Sequence, residues 1–232
     1  MNIIDYIKKN KNKAFNDLPF NEIDNLILSL LPYIDFQGIV PTFRKGKITL
    51  KESAEKLNDK KKNFRGLFIS NTFKMLQIMK NSIRYQDIQL YNYVNVVNDD
   101  MQFGALTMKL SDKSIFIAFA GTDSSIIGWE EDFKMTYLYP GASQKYASIY
   151  LNKAVTLMDK KVRVGGHSKG GNLAICATMN AHFWIRRKVV KINNFDGPGF
   201  LKKEIENGKK YISGRRMESY RRIKWIIQWL ES

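Results

Sequence analysis

The chain has 232 residues, of which 44% are hydrophobic, 12% aromatic and 26% charged. These values are typical of globular domains, and they exclude a disordered chain, a collagen-like chain and a coiled coil. The length predicts one α/β domain spanning residues 1–232, with a full hydrophobic core. The formal net charge of +16 bears on solubility and on binding to acidic partners, but it does not indicate a fold.

The pattern of apolar residues and cysteines suggests the compartment. The longest apolar stretches fall far short of the roughly 20 residues that a membrane span needs, and the N-terminus has no hydrophobic signal region. The single cysteine, Cys176, can form no internal disulfide and is expected to be a buried core thiol. We therefore expect a cytoplasmic, unprocessed protein without metal or cofactor.

The positive charge is concentrated near the C-terminus. Residues 202–224 contain nine Lys or Arg against three Glu. No helix-turn-helix, zinc-finger or RNP-type pattern accompanies them, so we predict a solvated basic face and no specific nucleic-acid partner.

The first third of the chain has three patterns typical of helices. Apolar residues recur at helical spacing over Asn21–Ile34 and over Leu67–Met79. Between them, Thr49 and Glu52 have capping-box spacing, which predicts a short helix through Leu57.

From Ile88 onward the pattern alternates, and this predicts strands. The predicted order is strands at Ile88–Val97, Phe103–Leu110 and Ser114–Ala120, a helix from Pro140 to Met158, a strand at Val162–Gly166, a helix at Gly171–Ile185 and a strand at Val189–Phe195. Because strands and helices alternate in the second half, we predict a mostly parallel sheet with flanking helices.

One short motif points to chemistry. Gly166-His167-Ser168-Lys169-Gly170 matches Gly-x-Ser-x-Gly between a predicted strand and a predicted helix. In that context the motif forms a nucleophile elbow: small residues at Gly166 and Gly170 permit the tight turn that exposes the Ser168 hydroxyl. An ordinary Gly-Ser turn is the alternative.

A serine nucleophile also needs N–H groups that stabilise the negative charge on the substrate oxygen. The turn Gly121-Thr122 follows a predicted buried strand, so the N–H groups of Thr122 and Lys169 are candidates for this oxyanion hole. The Lys169 side chain is expected to point away from Ser168, so its backbone is the useful part. The alternative for Gly121-Thr122 is a plain turn at a strand end.

These residues resemble a known family. Phe119-Ala120-Gly121-Thr122 is similar to the Phe-Arg-Gly-Thr motif of class 3 lipases, with Ala120 in place of Arg. The wider set resembles the Mbeg-like family of bacterial α/β-hydrolase proteins, through four segments: residues 19–24, 128–133, 165–172 and 194–200. The resemblance implies an α/β-hydrolase fold and a lipase-like or esterase-like activity on an undefined ester or lipid.

The two histidines do not complete a catalytic triad. His167 lies inside the elbow, where neighbouring side chains diverge from Ser168, and His182 follows about 20 Å further along the next helix. Residues 183–232 contain no histidine, although the base comes last in α/β-hydrolases. We therefore expect that this chain lacks the triad base.

Other candidate residues are less specific. Asp196 lies where some lipases hold the triad acid, although its Asp-Gly-Pro-Gly context equally suits a turn, and Asp123 is a weaker candidate. Trp129 and Asp132 either line the pocket or pack a short helix.

The resemblance covers about residues 17–200, and we expect residues 201–232 to be a divergent basic tail whose apolar spacing is typical of a short amphipathic helix. Family members are expected to continue with further strands, so we expect C-terminal strands of the sheet to be missing here.

Two functions follow as expectations. The first is a serine hydrolase of the lipase or esterase type, impaired because the histidine base is absent. The alternative is a non-catalytic hydrolase relative that binds an anionic lipid or a protein partner through its basic surface. A peripheral contact with an anionic membrane is thus expected under the alternative, and a small ester or lipid substrate under the first.

Overall fold

The structure, a computed structural model, describes residues 2–59, 67–98, 101–122 and 139–200, together with residues 203, 204, 206, 208 and 216–220. Residues 58–59, 67–69 and 216–220 are described by their backbone alone. The helices are α1 (Ile3–Asn10), α2 (Glu22–Leu30), α3 (Leu50–Asp59), α4 (Leu67–Met79), α5 (Ala142–Ala154), α6 (Lys169–Met179) and α7 (Phe183–Arg186), and a short 3-10 helix, Leu31–Tyr33, follows α2. The strands are β1 (Ile48–Thr49), β2 (Gln89–Asn98), β3 (Met101–Lys109), β4 (Ile115–Phe119), β5 (Val162–His167), β6 (Val189–Phe195) and β7 (Arg216–Tyr220).

The seven described strands form one sheet in chain order, β1 to β7. The first three pairs are antiparallel, whereas β4, β5, β6 and β7 are parallel. The prediction of an α/β protein is therefore confirmed, but the sheet is mixed, and the prediction of a mostly parallel sheet is wrong. The connections explain this, because the few residues between β2 and β3 and between β3 and β4 are too short for a crossover between parallel strands.

The sheet is covered on both faces. Alternate side chains of β4 belong to two different hydrophobic clusters: Phe116 and Ala118 pack with α1, α2 and α4, whereas Ile115, Ile117 and Phe119 pack with α5 and α6. This period of two places one side chain on each face in turn. The molecule is thus a three-layer α/β fold around a fully buried central strand.

Most predicted elements are confirmed, and the main differences concern two helices and the strands after β6. The helix after Pro140 stops at Ala154 and does not reach Met158, since Val155 is extended. The predicted helix at Gly171–Ile185 begins earlier, at Lys169, and is divided, because Asn180 caps α6 and α7 follows as a separate turn. The expectation that strands after β6 are missing is wrong for β7, which pairs with β6 in parallel.

The capping box predicted before α3 is present. The Glu52 carboxylate accepts hydrogen bonds from the Thr49 backbone N–H at 3.0 Å and from its hydroxyl at 2.9 Å, and the Glu52 N–H donates to Thr49 Oγ1 at 3.1 Å. Two further helices, α1 and α2, begin with Asn caps that make the same reciprocal pair of bonds.

A buried ion pair fastens α2 to the turn between α4 and β2. Asp24, on α2, pairs with Arg84, and both side chains are fully buried. The Tyr85 hydroxyl also donates to the Asp24 carboxylate at 2.6 Å, and Arg84 Nη1 donates to the Leu18 carbonyl oxygen at 2.7 Å. These bonds satisfy the charges of a pair that has been removed from water.

Candidate active site

The parallel strands bring the predicted site residues to one edge of the sheet. In the register of the sheet, Phe119 of β4 lies opposite Gly166 of β5, and His167 of β5 lies opposite Phe195 of β6. Because the strands are parallel, the residues that follow them share the carboxyl edge. Thr122, Ser168 and Asp196 therefore all lie at that edge.

Ser168 occupies a strained turn between β5 and α6. Its φ is 54° and its ψ is −132°, a region that residues with side chains rarely adopt and that costs about 1–3 kcal/mol. Two backbone bonds hold the turn: the Ser168 N–H donates to the Phe195 carbonyl oxygen at 2.9 Å, and the Ser168 carbonyl oxygen accepts from the Gly171 N–H at 2.8 Å. The side chain is half-buried, and within the described part of the chain its hydroxyl has no hydrogen-bond partner.

The glycines of the motif are required by close backbone contacts. A Cβ on Gly166 would lie 2.3 Å from the carbonyl carbon of Gly170, and a Cβ on Gly170 would lie 2.1 Å from the Phe119 carbonyl oxygen. Both contacts are shorter than any real Cβ approach, so neither position accepts a side chain without moving the backbone. The start of α6 therefore lies directly against the end of β4.

The loop after β4 contacts the elbow. A Cβ on Gly121 would lie 3.1 Å from Ser168 Cβ and 2.6 Å from the His167 carbonyl oxygen. Thr122 follows Gly121 and is half-buried, and Lys169 is the first residue of α6. The loop that leads to Thr122 is thus in contact with the turn that leads to Lys169.

The Lys169 side chain is buried and bonded to β3. It is 1% exposed, and its Nζ donates to the Gln102 carbonyl oxygen on β3 at 2.9 Å. A buried amide pair lies nearby: Gln144 Nε2 donates to Asn172 Oδ1 at 2.8 Å, and Asn172 Nδ2 donates to the Pro198 carbonyl oxygen at 3.1 Å. These amides tie α5, α6 and the loop after Asp196 together.

His167 has a partner that the sequence does not suggest. The Tyr33 hydroxyl, at the end of the 3-10 helix, lies 3.0 Å from His167 Nδ1 and 3.3 Å from the His167 carbonyl oxygen. The same hydroxyl would lie 2.0 Å from a Cβ on Gly121. The Tyr33 hydroxyl therefore lies between His167 and the loop after β4, although Tyr33 is 134 residues away from His167 in the chain.

Burial lowers the pKa of His167 to about 4, and the nearby charge of Asp196 opposes that shift only in part. His167 is therefore neutral at pH 7. A base with so low a pKa accepts a proton poorly, because general bases work best with a pKa near the working pH.

Asp196 lies on the turn that follows β6. Its φ is 56°, its side chain is exposed, and the Gly197 N–H closes the turn on Asn194 Oδ1 at 2.9 Å. A Cβ on Gly197 would lie 2.7 Å from the Ser168 carbonyl oxygen. The Asp-Gly-Pro-Gly segment is thus a turn that packs against the elbow, and it places a carboxylate at the correct edge.

Four remaining candidates lie away from Ser168 or outside the described residues. His182 is exposed beyond the far end of α6, where its N–H donates to Asn152 Oδ1 at 2.9 Å. Asp123, Trp129 and Asp132 lie outside the described residues.

Cys176 is buried on α6, as expected, and burial raises the pKa of its thiol to about 11. The thiol is therefore protonated at neutral pH.

The fold and this edge define an α/β protein with a strained serine on a strand-to-helix turn. A family model described as Mbeg1-like matches residues 79–223, which is more than half of the chain. The chain therefore belongs to the Mbeg1-like family. The match extends past Phe200, where the resemblance was expected to end, and it starts after the N-terminal segment 19–24. Comparisons with curated proteins and with solved structures gave no match.

Proposed function

We propose that the protein is a serine hydrolase of the lipase or esterase type, with an α/β-hydrolase fold, that is slowed by the absence of a triad histidine. The observation that carries the proposal is the backbone of Ser168, which has a φ of 54° at the carboxyl edge of β5 and a glycine-lined approach from the β4 loop. Such strain persists only where the surrounding structure holds it, and it is concentrated at functional sites.

The proposed chemistry is acyl transfer. Ser168 Oγ attacks the carbonyl carbon of a carboxylic ester, and its proton passes to water because no imidazole base is at hand. The N–H groups of Thr122 and Lys169 stabilise the oxyanion, and the start of α6 adds its dipole. The alkoxide takes a proton from water and leaves as the alcohol, and a second water then hydrolyses the acyl-Ser168 ester to a carboxylic acid and restores the Ser168 hydroxyl.

Asp196 is the proposed acid. Its carboxylate lies at the edge that an orienting acid occupies, and its charge raises the pKa of His167 from the lower value that burial alone would give. His167 itself is not proposed as the base, since its Nδ1 is bonded to Tyr33 and its pKa is about 4.

The test is covalent labelling with an alkyl fluorophosphonate. Ser168 Oγ attacks phosphorus, fluoride leaves, and the protein gains the mass of the phosphonyl group. We expect one adduct in the wild type, none in Ser168→Ala, and an unchanged adduct in Ser148→Ala, whose hydroxyl is bonded to the Gln144 carbonyl oxygen at 2.9 Å. An unlabelled wild type, or an adduct that persists in Ser168→Ala, would overturn the proposal.

The alternative is a hydrolase relative that does no chemistry and binds anionic lipid or a protein through basic surface. The neutral, bonded His167 and the net charge of +16 both favour it over a fast enzyme. Under this alternative the wild type would remain unlabelled. Both proposals place the protein in the cytoplasm, since its single cysteine suits a reducing compartment.

A further inference from the structure

An exposed apolar cluster lies at the amino edge of the sheet, opposite Ser168. Leu157 and Met158, in the turn before β5, are 82% and 88% exposed, and Phe183, at the start of α7 before β6, is 68% exposed. We call these three residues the Leu157 patch. Single exposed apolar residues are ordinary, but neighbouring ones of this size at one edge mark an interaction surface.

The turn that carries Leu157 and Met158 is held rigidly. The Thr156 N–H and hydroxyl donate to Asp159 Oδ2 at 2.8 and 2.7 Å, and Lys188 Nζ donates to the carbonyl oxygens of Thr156 and Leu157 at 2.8 and 2.9 Å. Turn corners normally carry Gly, Pro, Asn or Asp. Here two large apolar side chains occupy the turn, and its backbone is already fixed by hydrogen bonds. Binding through Leu157 and Met158 would therefore cost little backbone entropy.

Hydrogen bonds show that the two halves of the patch are adjacent. Lys188 reaches the turn from the segment that contains Phe183, and its Nζ lies 5.0 Å from the centroid of the Trp184 ring. The His182 N–H donates to Asn152 Oδ1 at 2.9 Å, which brings the start of α7 against the end of α5. The apolar side chains therefore share one surface.

Positive charge surrounds this surface. Lys160, Lys161 and Arg187 are exposed on the same two segments, and Lys153 is exposed at the end of α5. Asp159 is the acidic residue of the turn, and its carboxylate is engaged with Thr156. Exposed apolar side chains surrounded by basic residues are suited to a membrane surface, where hydrocarbon lies below negatively charged headgroups.

We propose that the Leu157 patch docks the protein on an anionic phospholipid bilayer. The three apolar side chains would enter the interface, and the lysines and Arg187 would contact the headgroups. Leu157 and Met158 are more than four-fifths exposed, so their side chains project from the surface. A folded protein partner would need complementary pockets for them, whereas the fluid interior of a bilayer does not. In this orientation the edge that carries Ser168 faces away from the bilayer, so the docking is independent of the proposed hydrolase chemistry.

The test is co-sedimentation of the full chain with vesicles made of equal parts phosphatidylcholine and phosphatidylglycerol, with pure phosphatidylcholine vesicles as the uncharged comparison. We expect the wild type to bind the anionic vesicles and to lose binding as salt is raised. The double variant Leu157→Ser/Met158→Ser is expected to bind about tenfold or more weakly, because the side chains that enter the interface have become polar. Ser168→Ala is expected to bind like the wild type.

The matched control is Val97→Ser, because Val97 is 54% exposed at the other end of the sheet, where β2 ends. It is expected to bind like the wild type. Lys160→Gln/Lys161→Gln is expected to weaken binding to the anionic vesicles and to leave the folded structure unchanged, as measured by circular dichroism.

Three results would overturn the proposal. The first is a wild type that does not sediment with anionic vesicles at low salt. The second is full binding by Leu157→Ser/Met158→Ser with loss on Arg221→Gln/Arg222→Gln, which would place the contact on the C-terminal basic segment. The third is a concentration-dependent dimer that the Leu157→Ser/Met158→Ser change abolishes, without vesicle binding, which would assign the patch to a second copy.

Discussion

Gly121→Ala is the substitution that tests most sharply how the turn at Ser168 and the loop after β4 fit together. The new methyl group would lie 2.0 Å from the Tyr33 hydroxyl oxygen, 2.6 Å from the His167 carbonyl oxygen and 3.1 Å from Ser168 Cβ. Ordinary contacts of this kind are about 3.5 Å or longer. The Tyr33 hydroxyl and the elbow must therefore both move.

The cost can be worked out from these contacts. The Tyr33 hydroxyl can turn aside only by giving up its 3.0 Å bond to His167 Nδ1, which costs about 1 kcal/mol. The His167 carbonyl oxygen belongs to the strained backbone before Ser168, and inserting a methyl group against packed backbone costs about 1–3 kcal/mol. The free energy of unfolding should therefore fall by about 2–4 kcal/mol.

Two measurements check this prediction: urea denaturation, and the rate of fluorophosphonate labelling of Ser168, which should also fall. The control is Gly199→Ala, because a Cβ there would meet nothing within 4 Å. The double variant Gly121→Ala/Tyr33→Phe should lose less stability than the two single variants lose together, because the hydroxyl that clashes with the new methyl group is gone. A Gly121→Ala protein with the stability and labelling rate of Gly199→Ala would refute the reasoning.

Two further predictions concern buried charge and stability. The pKa of His167 is lowered to about 4 from 6.5, so as the pH falls the unfolded chain binds a proton at His167 before the folded protein does. The wild type should therefore lose about 3 kcal/mol of stability from this group between pH 6.5 and 4. The His167→Gln variant should lose correspondingly less, as measured by urea denaturation at both pH values. Asp24→Asn should lower the free energy of unfolding by about 3–5 kcal/mol because it leaves Arg84 as an uncompensated buried charge. The control Asp112→Asn should cost less than about 1 kcal/mol, because Asp112 is 42% exposed in its pair with Arg163. Equal losses for the two variants would contradict the buried ion pair as a source of stability.

Local patterns in the sequence are enough to predict the strand, the turn at Ser168 and the helix that follows. A strand, small residues around Ser168 and a following helix are all encoded within about a dozen neighbouring positions, and the close approach of Gly166 to Gly170 is a local contact. The bond of the Lys169 side chain to the Gln102 carbonyl oxygen on β3 is a long-range contact that the local motif does not indicate.

Hydrophobic periodicity misplaced the end of α5. Leu157 continues the apolar spacing of the helix and was therefore predicted to be part of it, yet it is 82% exposed on a turn. The extended backbone of Val155 and the Thr156 to Asp159 hydrogen bonds end the helix first. Leu157 therefore fits the helical spacing of apolar residues and is still exposed to water, and the proposed membrane contact depends on this observation.

Long-range contacts were beyond the reach of the sequence patterns. Nothing near Tyr33 indicates that its hydroxyl reaches His167, because the contact depends on how α2 packs against the sheet. The mixed sheet is a different case, since the short connections on both sides of β3 are too brief for crossovers and favour antiparallel pairing. The alternation of strands and helices, which favours parallel pairing, begins only after β4.

Ser168 is proposed as a nucleophile without its own base, and imidazole rescue tests that claim most directly. Hydrolysis of p-nitrophenyl acetate is measured for the wild type and for Ser168→Ala, each with and without added imidazole. The claim predicts slow hydrolysis without imidazole and a rate with imidazole that is higher in the wild type than in Ser168→Ala. Fast hydrolysis by the wild type without imidazole, abolished by Ser168→Ala, would contradict it, and so would equal rates for the two proteins under every condition.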